Sequence, residues 1–555
     1  MIISSENNYR FIFIFYLIIF SLFFLTGNIE GQQTGTLQEN IWLQLAQTTS
    51  INGQKLHSRK YLKDFYRKRN FQPVWITYNS LLPKANKFIK IIKNSSQKGL
   101  LPEDYHLSLI NKKIEKYKTD KNIETLVQLE LILSDSFLIY ISDLDQGRFD
   151  YTNMERKWFQ TNSSNNYSKI LKEITTYNMS DKINEFEPEI FQYIQLKKLL
   201  HKYQEIEQNE SWPKIKINEK LSKGDKNKNL YQIRKRLKKD PGLEVTLTSE
   251  KKDIFDDNLK KAILNFQKNY GLKTTGNIDK ATLKKLKIPV EMLISIIKLN
   301  LDRLRWSDID PAAEYIMVNL PEYKLKIIKN EQTILKMKTV IGRSEQQTPV
   351  FSEEIYRLII NPVWRIPRSI IINNYLPQIK ENKSWINNHY IQIYDRENDK
   401  YTKVNPEKIN WNQLNQNNFD YHFWQKPGPW NSLGNIIFRN ASKNNIYLHD
   451  SPSRHLFNKR KRPYSFGCVR VEKALELAYY ILNTSEGWNK SKVDRLVKNR
   501  TETAVNLNHP IPLHLIYLTT WVAEDDQQLN LRDDIYRRDE KLLKYFNHDF
   551  TWGRE

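Results

Sequence analysis

The chain opens on its most apolar stretch. Residues 11–26, from Phe11 to Thr26, are almost wholly aliphatic or aromatic, with Arg10 just before them and polar residues after, the pattern of an export signal peptide or a single membrane anchor. The following Thr26-Gly27-Asn28-Ile29-Glu30-Gly31 offers no clear Ala-x-Ala cleavage pattern, so a cleaved signal and a retained anchor both fit. No later run reads as long and apolar enough to span a bilayer, which leaves roughly the last 525 residues as an extracytoplasmic body.

From Leu37 to Trp212 glycine is scarce and apolar residues recur at helical spacing, as in Leu126, Leu129, Leu131, Leu133, Phe137, Leu138 and Ile141. The stretch Tyr61 to Tyr66 predicts a helix stopped by Pro73, and Leu100-Leu101-Pro102 starts another. Nothing in this region assembles an acid, a base and a nucleophile, so it reads as scaffold or docking surface. A lysine-rich stretch from Lys214 to Lys228 separates it from a small helical unit. There Leu259, Ala262, Ile263, Phe266 and Tyr270 share one helical face, Gly271 ends that helix, Gly276 makes a turn, Asp279 caps, and Ala281 to Leu286 forms the last helix.

From Glu314 the pattern changes to period two. Strands are predicted at Tyr315 to Leu320, Lys324 to Ile328, Met337 to Ile341, Tyr356 to Asn361, Asn445 to Leu448 and His514 to Val522. A helix with Leu475, Leu477, Ala478, Ile481 and Leu482 as its apolar residues follows Cys468. That predicts the cysteine at a strand-to-helix turn, near a helix N-terminus that favours thiolate. The expected fold class is α+β in several domains, a helical front and a small three-helix unit before a β-rich domain.

Composition and charge narrow the partners. At 39% hydrophobic and 12% aromatic there is ample material for cores. A net charge of +24 would suggest nucleic acid for a cytoplasmic protein, but export argues against that partner, and no zinc-finger, RNP or recognition-helix pattern is present. The lysines are spread along the whole chain, as a solvated surface or one attracted to an anionic envelope polymer or lipid face would have them.

Cys468 is the only cysteine of 555 residues, within Ser465-Phe466-Gly467-Cys468-Val469-Arg470. Exported chains tend to pair their cysteines or to lack them, so a lone thiol suggests a chemical role, with a small buried hydrophobe as the bland reading. Gly467 lets a ligand approach the backbone, and the Arg470 charge favours thiolate. His449 closes a strand before the turn signal Ser451-Pro452 and can act as general base toward the thiol. An ion pair between them would lower the cysteine pKa and raise that of the histidine. The Asp450 carboxylate or a backbone carbonyl would orient the ring, and the N–H groups of Gly467 and Cys468 are candidates for an oxyanion hole, with Ser465 beside them. No cofactor is called for. A metal site from His449, Asp450, His455 and Cys468 lacks the paired spacing of a structural zinc centre.

Two resemblances sharpen this reading. The run from Leu230 to Leu286, with Phe266-Gln267, Tyr270-Gly271-Leu272, Gly276-Asn277-Ile278-Asp279 and Thr282-Leu283, resembles the small three-helix peptidoglycan-binding domain. His449, fifteen intervening residues, and then Ser465-x-Gly467-Cys468-Val469-Arg470 resembles the L,D-transpeptidase signature. Asn300 to Trp306, Thr348-Pro349-Val350-Phe351-Ser352, Asn361 to Ile370, Pro427-Gly428-Pro429 and Asp534 to Asp539 are similar to the large, scaffold-bearing branch of that family.

The resemblance implies that Cys468 attacks the amide between the third and fourth residues of a stem tetrapeptide, releasing D-alanine and leaving a thioester. A side-chain amine of a neighbouring stem would resolve it to a 3→3 cross-link, with His449 handling the proton. Tyr447 and Trp364 would line the donor pocket, and Arg470 would hold the turn or meet a carboxylate. The implied partners are peptidoglycan stem peptides and other cell-wall synthesis proteins, in the periplasm or cell envelope. The implied layout is a signal or anchor at 1–31, a helical scaffold at 37–213, a peptidoglycan-binding-like domain at 225–290, a catalytic domain at 312–525 with a capping insertion at about 376–430, and a tail at 526–555. The sequence departs from the signature at Phe466, where the family has a histidine, which keeps a weakly active or noncatalytic wall-binding homologue and an L,D-carboxypeptidase as alternatives.

Overall fold

The computed structural model describes residues 36–545 apart from 151–153, 157–166, 175–177, 210–211, 242, 244–251, 307–308, 442–444, 484–486 and 525–527, so the apolar run at 11–26 lies outside the described residues. By its internal contacts the chain divides into two units, Met1–Asn86 with Ser108–Asp135, and Lys87–Leu107 with Ser136–Glu555.

In the first unit, helix α1 (Arg59–Lys68) buries Leu62, Phe65 and Tyr66 on one face. Helix α2 (Ile123–Gln146), of which residues 123–135 belong to this unit, carries there two buried acids that gather segments of the unit around it. Glu130 accepts from the Tyr66 hydroxyl and from the amides of Val74 and Trp75, and Asp135 accepts from the amides of His57 and Ser58 and the Ser58 hydroxyl. This helix corrects one expectation. Its 24 residues are long and apolar enough to cross a membrane, against the reading that no later segment is, yet its most apolar stretch is almost wholly buried in the protein. A core helix surrounded on all sides needs the same apolar composition as a lipid-facing one.

In the second unit, α3 (Leu230–Lys239), α4 (Asp257–Asn269) and α5 (Lys280–Leu286) form the small helical body. Asp256 and Asp279 cap α4 and α5 by accepting from Leu259 N and Thr282 N, both at 2.8 Å. Gly271 ends α4 with φ +64°, a left-handed conformation that favours glycine. The Lys214 to Lys228 stretch is more than a spacer, because Leu221 pairs with Ile278 and both are buried. Helix α6 (Val290–Trp306) continues the same apolar core, which also takes in Tyr315, Met317 and Ile516 of the sheet that follows.

That sheet has nine strands. They are β1 (Tyr315–Asn319), β2 (Lys324–Lys329), β3 (Gln332–Gly342), β4 (Phe351–Ile360), β9 (Ile436–Asn440), β10 (Leu448–His449), β11 (Pro463–Ser465), β12 (Val469–Val471) and β13 (Thr503–Ile516), where β5 (Trp364–Arg365), β6 (Ile391–Glu397), β7 (Lys400–Val404) and β8 (His422–Gln425) belong to the insertion between β4 and β9. The order is β11-β3-β12-β10-β9-β4-β13-β1-β2, and β2 also pairs with β3, so the sheet closes on itself. Pro510 and Pro512 are accommodated in β13 near a register shift between Asn506 and Ile511, where ladder bonds are already interrupted. Helix α7 (Ala474–Leu482) contributes Leu477, Ala478, Ile481 and Leu482 to the core of this sheet.

The insertion forms its own four-stranded sheet, β7-β6-β8-β5, around an apolar cluster that includes Ile371, Ile379, Ile393, Trp411 and Phe423. Ile437 of β9 belongs to this cluster, and Tyr447 and Phe466 pack against it. Residues 528–545 are built into the fold. Leu529–Leu531 pairs with Thr520–Val522, and the helix Arg538–Leu543 buries Leu542 and Leu543.

Candidate active site

Strand register alone brings the predicted residues to one surface. Parallel pairing sets Leu448 opposite Val469 and His449 opposite Arg470, while antiparallel pairing sets Ile437 opposite His449 and Phe438 opposite Leu448. Opposed residues share a face, and faces alternate along a strand. Phe438, Leu448 and Val469 therefore point into the core, where all three are fully buried. The other face carries one row of Ile437, His449 and Arg470. One step along, it carries a second row of Arg439, Tyr447 and Cys468. The ladder extends to this second row through the Val469 amide, which donates to the Tyr447 carbonyl at 3.1 Å. His449 and Cys468 are thus diagonal neighbours on adjacent strands, within side-chain reach.

The cysteine sits at a tightly tied turn. Gly467 has φ +113°, and a Cβ there would meet Ile446 at 2.9 Å. Ser465 Oγ donates to the Cys468 carbonyl at 2.5 Å and accepts from the Gly467 amide at 3.2 Å. From below, the Thr348 hydroxyl donates to the Gly467 carbonyl at 2.7 Å and accepts from Gly342 N at 2.9 Å. Thr348 is held in turn by Arg538, which donates to its carbonyl at 3.0 Å, and by its own amide bond to the Tyr536 hydroxyl at 3.3 Å. The C-terminal segment therefore braces the cysteine turn. The sequence likeness at Thr348 and at Asp534 to Asp539 carried no sign of this role, since more than a hundred residues separate these partners. Thr348→Val is expected to lower stability by about 1–3 kcal/mol in urea unfolding and to slow covalent labelling of Cys468 by about tenfold.

Two expectations about this turn change. Helix α7 begins only at Ala474, beyond β12, so its N-terminus does not meet the thiol and the turn leads into a strand. The Gly467 amide, one of the two oxyanion candidates, is engaged by Ser465 Oγ. Among the described residues the Cys468 amide has no protein acceptor.

The protonation states also differ from the expected ion pair. Burial pushes the Cys468 thiol above its ordinary range, opposed by the Tyr447 amide and by Arg439 and Arg470. Burial likewise pushes His449 down to about 3, with Arg470 adding to the shift and the Asp450 and Leu433 carbonyls opposing it. Both groups rest neutral because desolvation penalises either charge. Cys468 as a residue keeps part of its surface open to solvent, and its thiol donates to the Asn445 carbonyl at 3.8 Å.

His449 Nδ1 lies 2.6 Å from the Asp450 carbonyl oxygen, so it is the N–H tautomer at that nitrogen. Of the two orienting groups left open by the sequence, the backbone carbonyl meets the ring. The Asp450 carboxylate accepts from Asn435 N at 2.9 Å and from Arg454 at 3.3 Å instead.

The remaining predicted residues divide. Tyr447 lies beside His449, with ring centroids 6.0 Å apart, and Arg470 shares the face with the thiol. Trp364 is buried in the insertion's core, edge-on to Tyr375. Phe466 packs against that same core, and the Arg343 guanidinium lies 4.5 Å from its ring centroid. Arg439, missed from the sequence because it lies outside the matching stretches, joins the site through strand pairing and its contact with Tyr447. A cleft of about 670 Å³ lies elsewhere and is lined by Leu272, Lys285, Met292, Lys461 and Asp533 among others.

The site thus joins a partly exposed cysteine and an imidazole held by a carbonyl on one face of a β-rich domain. Residues 313–498 match the family described as "L,D-transpeptidase catalytic domain", residues 226–286 match "Putative peptidoglycan binding domain", and residues 60–200 match "Scaffold domain". The chain thus carries an L,D-transpeptidase catalytic domain behind a peptidoglycan-binding domain and a scaffold domain.

A protein of Haemophilus influenzae described as "Putative L,D-transpeptidase" is 33% identical over 237 residues, covering 42% of this chain and 47% of its own. The match therefore spans about half the length of that relative. Similar solved structures include an L,D-transpeptidase of Xylanimonas cellulosilytica, at 12% identity and a TM-score of 0.17 over 54% of this chain and 98% of that one. Another is an L,D-transpeptidase of Stackebrandtia nassauensis, at 11% identity and a TM-score of 0.20 over 55% and 96%.

Proposed function

We propose that the protein is an L,D-transpeptidase that forms 3→3 peptidoglycan cross-links through a thioester on Cys468, with His449 as general base. The observation that carries this reading is the shared sheet face, on which the thiol and the imidazole are diagonal neighbours. With Nδ1–H held by the Asp450 carbonyl, the Nε2 lone pair is the basic one. Because both groups rest neutral, the proton leaves sulfur for Nε2 as sulfur attacks the donor carbonyl. The Cys468 amide stabilises the oxyanion. The amide C–N bond breaks, D-alanine departs with the proton from Nε2, and the acyl group stays on sulfur. An acceptor amine then gives its proton to Nε2, forms the new amide and returns the thiol.

In this reading Tyr447 lines the donor site beside the thiol, and Arg470 faces it with a positive charge. Trp364, packed in the core of the insertion, shapes the segment that caps the site. Phe466 anchors the cysteine turn to that segment, an apolar contact in place of a hydrogen-bonding histidine. The peptidoglycan-binding domain holds the wall polymer, and the run at 11–26 places the enzyme in the periplasm or at the inner membrane.

Muropeptide analysis of cells expressing the protein tests this. New 3→3 dimers are expected with the wild type. Tripeptides without dimers would convert the assignment to an L,D-carboxypeptidase, in which water resolves the same thioester. No change in either product would leave a wall-binding homologue.

A further inference from the structure

The first unit carries a cleft that the proposed reaction does not use. The helix Leu37–Gln47 is tied to α1 by the Arg59 guanidinium, which donates to the carbonyls of Thr48 at 2.7 Å, Leu45 at 2.9 Å and Ala46 at 3.0 Å. Residues of both helices, with Phe71 just beyond α1, line a cleft of about 480 Å³. Trp42, Ala46, Lys60, Lys63 and Arg67 are among them.

The first of these helices has more apolar surface than its own core takes up. Leu37, Ile41 and Leu45, spaced four apart, are buried in the unit, whereas Trp42 and Leu43 remain 48% and 42% exposed. Phe71 reaches the cleft from a left-handed backbone, φ +56°, directly after Asn70 at +52°, a conformation that disfavours a bulky side chain. The charged lining is one-sided. Asp64 is taken up by Arg67 at 2.8 Å and Lys68 at 2.5 Å, and among the described residues Lys60 and Lys63 have no ion pair. An aromatic patch is thus rimmed by uncompensated positive charge.

A single exposed aromatic residue needs no partner, but this cluster has one within reach. Ten residues, Gly27 to Thr36, separate the apolar run 11–26 from Leu37, no more than about 40 Å of fully extended chain. With that run seated in a bilayer, the start of the helix stays within about that distance of the membrane surface. Indole rings settle at the level of lipid headgroups, and lysines are drawn to anionic ones. We propose that the cleft is a membrane footing, in which Trp42 and Leu43 enter the interface of an anionic phospholipid bilayer while Lys60 and Lys63 bind its headgroup phosphates. Resting as it does on a retained anchor at 11–26, the docking is intramolecular, so contacts too weak to recruit a free protein suffice to hold this unit on the surface. An anionic wall glycan would meet the same lysines, but no tether keeps it at hand.

Full-length protein in vesicles tests the footing. In a Cys468→Ala background, an environment-sensitive fluorophore is attached at Ala46→Cys, in the cleft, or at Thr119→Cys, an exposed position of the same unit outside it. The vesicles are phosphatidylcholine with or without phosphatidylglycerol, and carry a nitroxide quencher at the headgroup. In the anionic vesicles strong quenching is expected at position 46 and little at 119. Lys60→Gln together with Lys63→Gln should lower the docked-to-free ratio about thirtyfold, and Trp42→Ala about tenfold. Both lysines are exposed, so the double variant keeps the fold whatever Trp42→Ala does. Equal quenching at both positions, or in neutral and anionic vesicles alike, overturns the footing.

Flotation of the vesicles in high salt, where surface charge is screened, reports the anchor separately. A chain that stays with the vesicles but is not quenched at position 46 keeps the anchor and overturns the footing. One that salt releases, yet that is quenched at low salt, keeps the footing and removes the anchor. One that does neither overturns both. If the lysine variant instead loses binding to purified wall sacculi while quenching is unchanged, the cleft takes an anionic glycan and the membrane footing is overturned.

Discussion

Cys468→Ala is expected to abolish acyl transfer, with turnover falling by about 10⁴-fold or more, because no other side chain on the sheet face can form the covalent intermediate. Intact-mass measurement after incubation with a carbapenem gives the sharpest readout. The wild type should gain one adduct, located at Cys468, and the variant none. The substitution removes a small, partly exposed side chain, so the fold should tolerate it with a change within about 1 kcal/mol. An adduct that persists on Cys468→Ala would place the nucleophile elsewhere. A wild type that stays unmodified over hours, while iodoacetamide labels it, would leave a reachable but acyl-incompetent thiol, and the enzymatic assignment would fail.

The second large effect is expected at His449. His449→Gln keeps a group able to bond the Asp450 carbonyl but has no lone pair that takes up a proton at neutral pH. Acylation should fall by about 10²–10⁴-fold. The same variant should also change the acid limb of stability. In the folded protein His449 is pushed down to about 3 by burial, whereas an unfolded histidine titrates near its ordinary value. Between these two values the unfolded chain binds more protons at this residue, so its contribution is intact above the unfolded pKa and is lost as pH falls toward 3. The slope approaches about 1.4 kcal/mol per pH unit. Urea unfolding of wild type and variant at pH 7 and pH 5 should show the wild-type midpoint falling more on acidification. Equal shifts in both would mean that the imidazole is protonated in the native state, and the neutral resting pair would be wrong.

Local pattern made much of this protein legible. The periodicity of Leu259, Ala262, Ile263 and Phe266 marked a helix because one apolar face must find a core, and the chain beside it needed only Asp256 and Gly271 to start and stop it. Most predicted strand cores of the β-rich domain lie inside observed strands, with ends that shift by a few residues because edges depend on the partner strand. The apolar composition of Ile123–Gln146 was ambiguous in principle, since lipid and protein interior select the same residues. Only the packing around it, and the ligation of Glu130 and Asp135, decided the matter.

The candidate site divides in the same way. The sequence by itself determined that one thiol and one histidine were the chemical candidates, and that a glycine before the thiol leaves the backbone open there, because these are consequences of residue type over short distances; that Ser465 ties the turn came from the structure. Tertiary structure alone decided which face His449, Arg470, Tyr447 and Cys468 share, that β12 rather than a helix follows the thiol, and that Thr348 and Tyr536 brace the turn. It also decided the charge state. An imidazole and a thiol drawn from a sequence suggest an ion pair, but burial takes water from both, and desolvation, which depends on every neighbour in space, leaves them neutral.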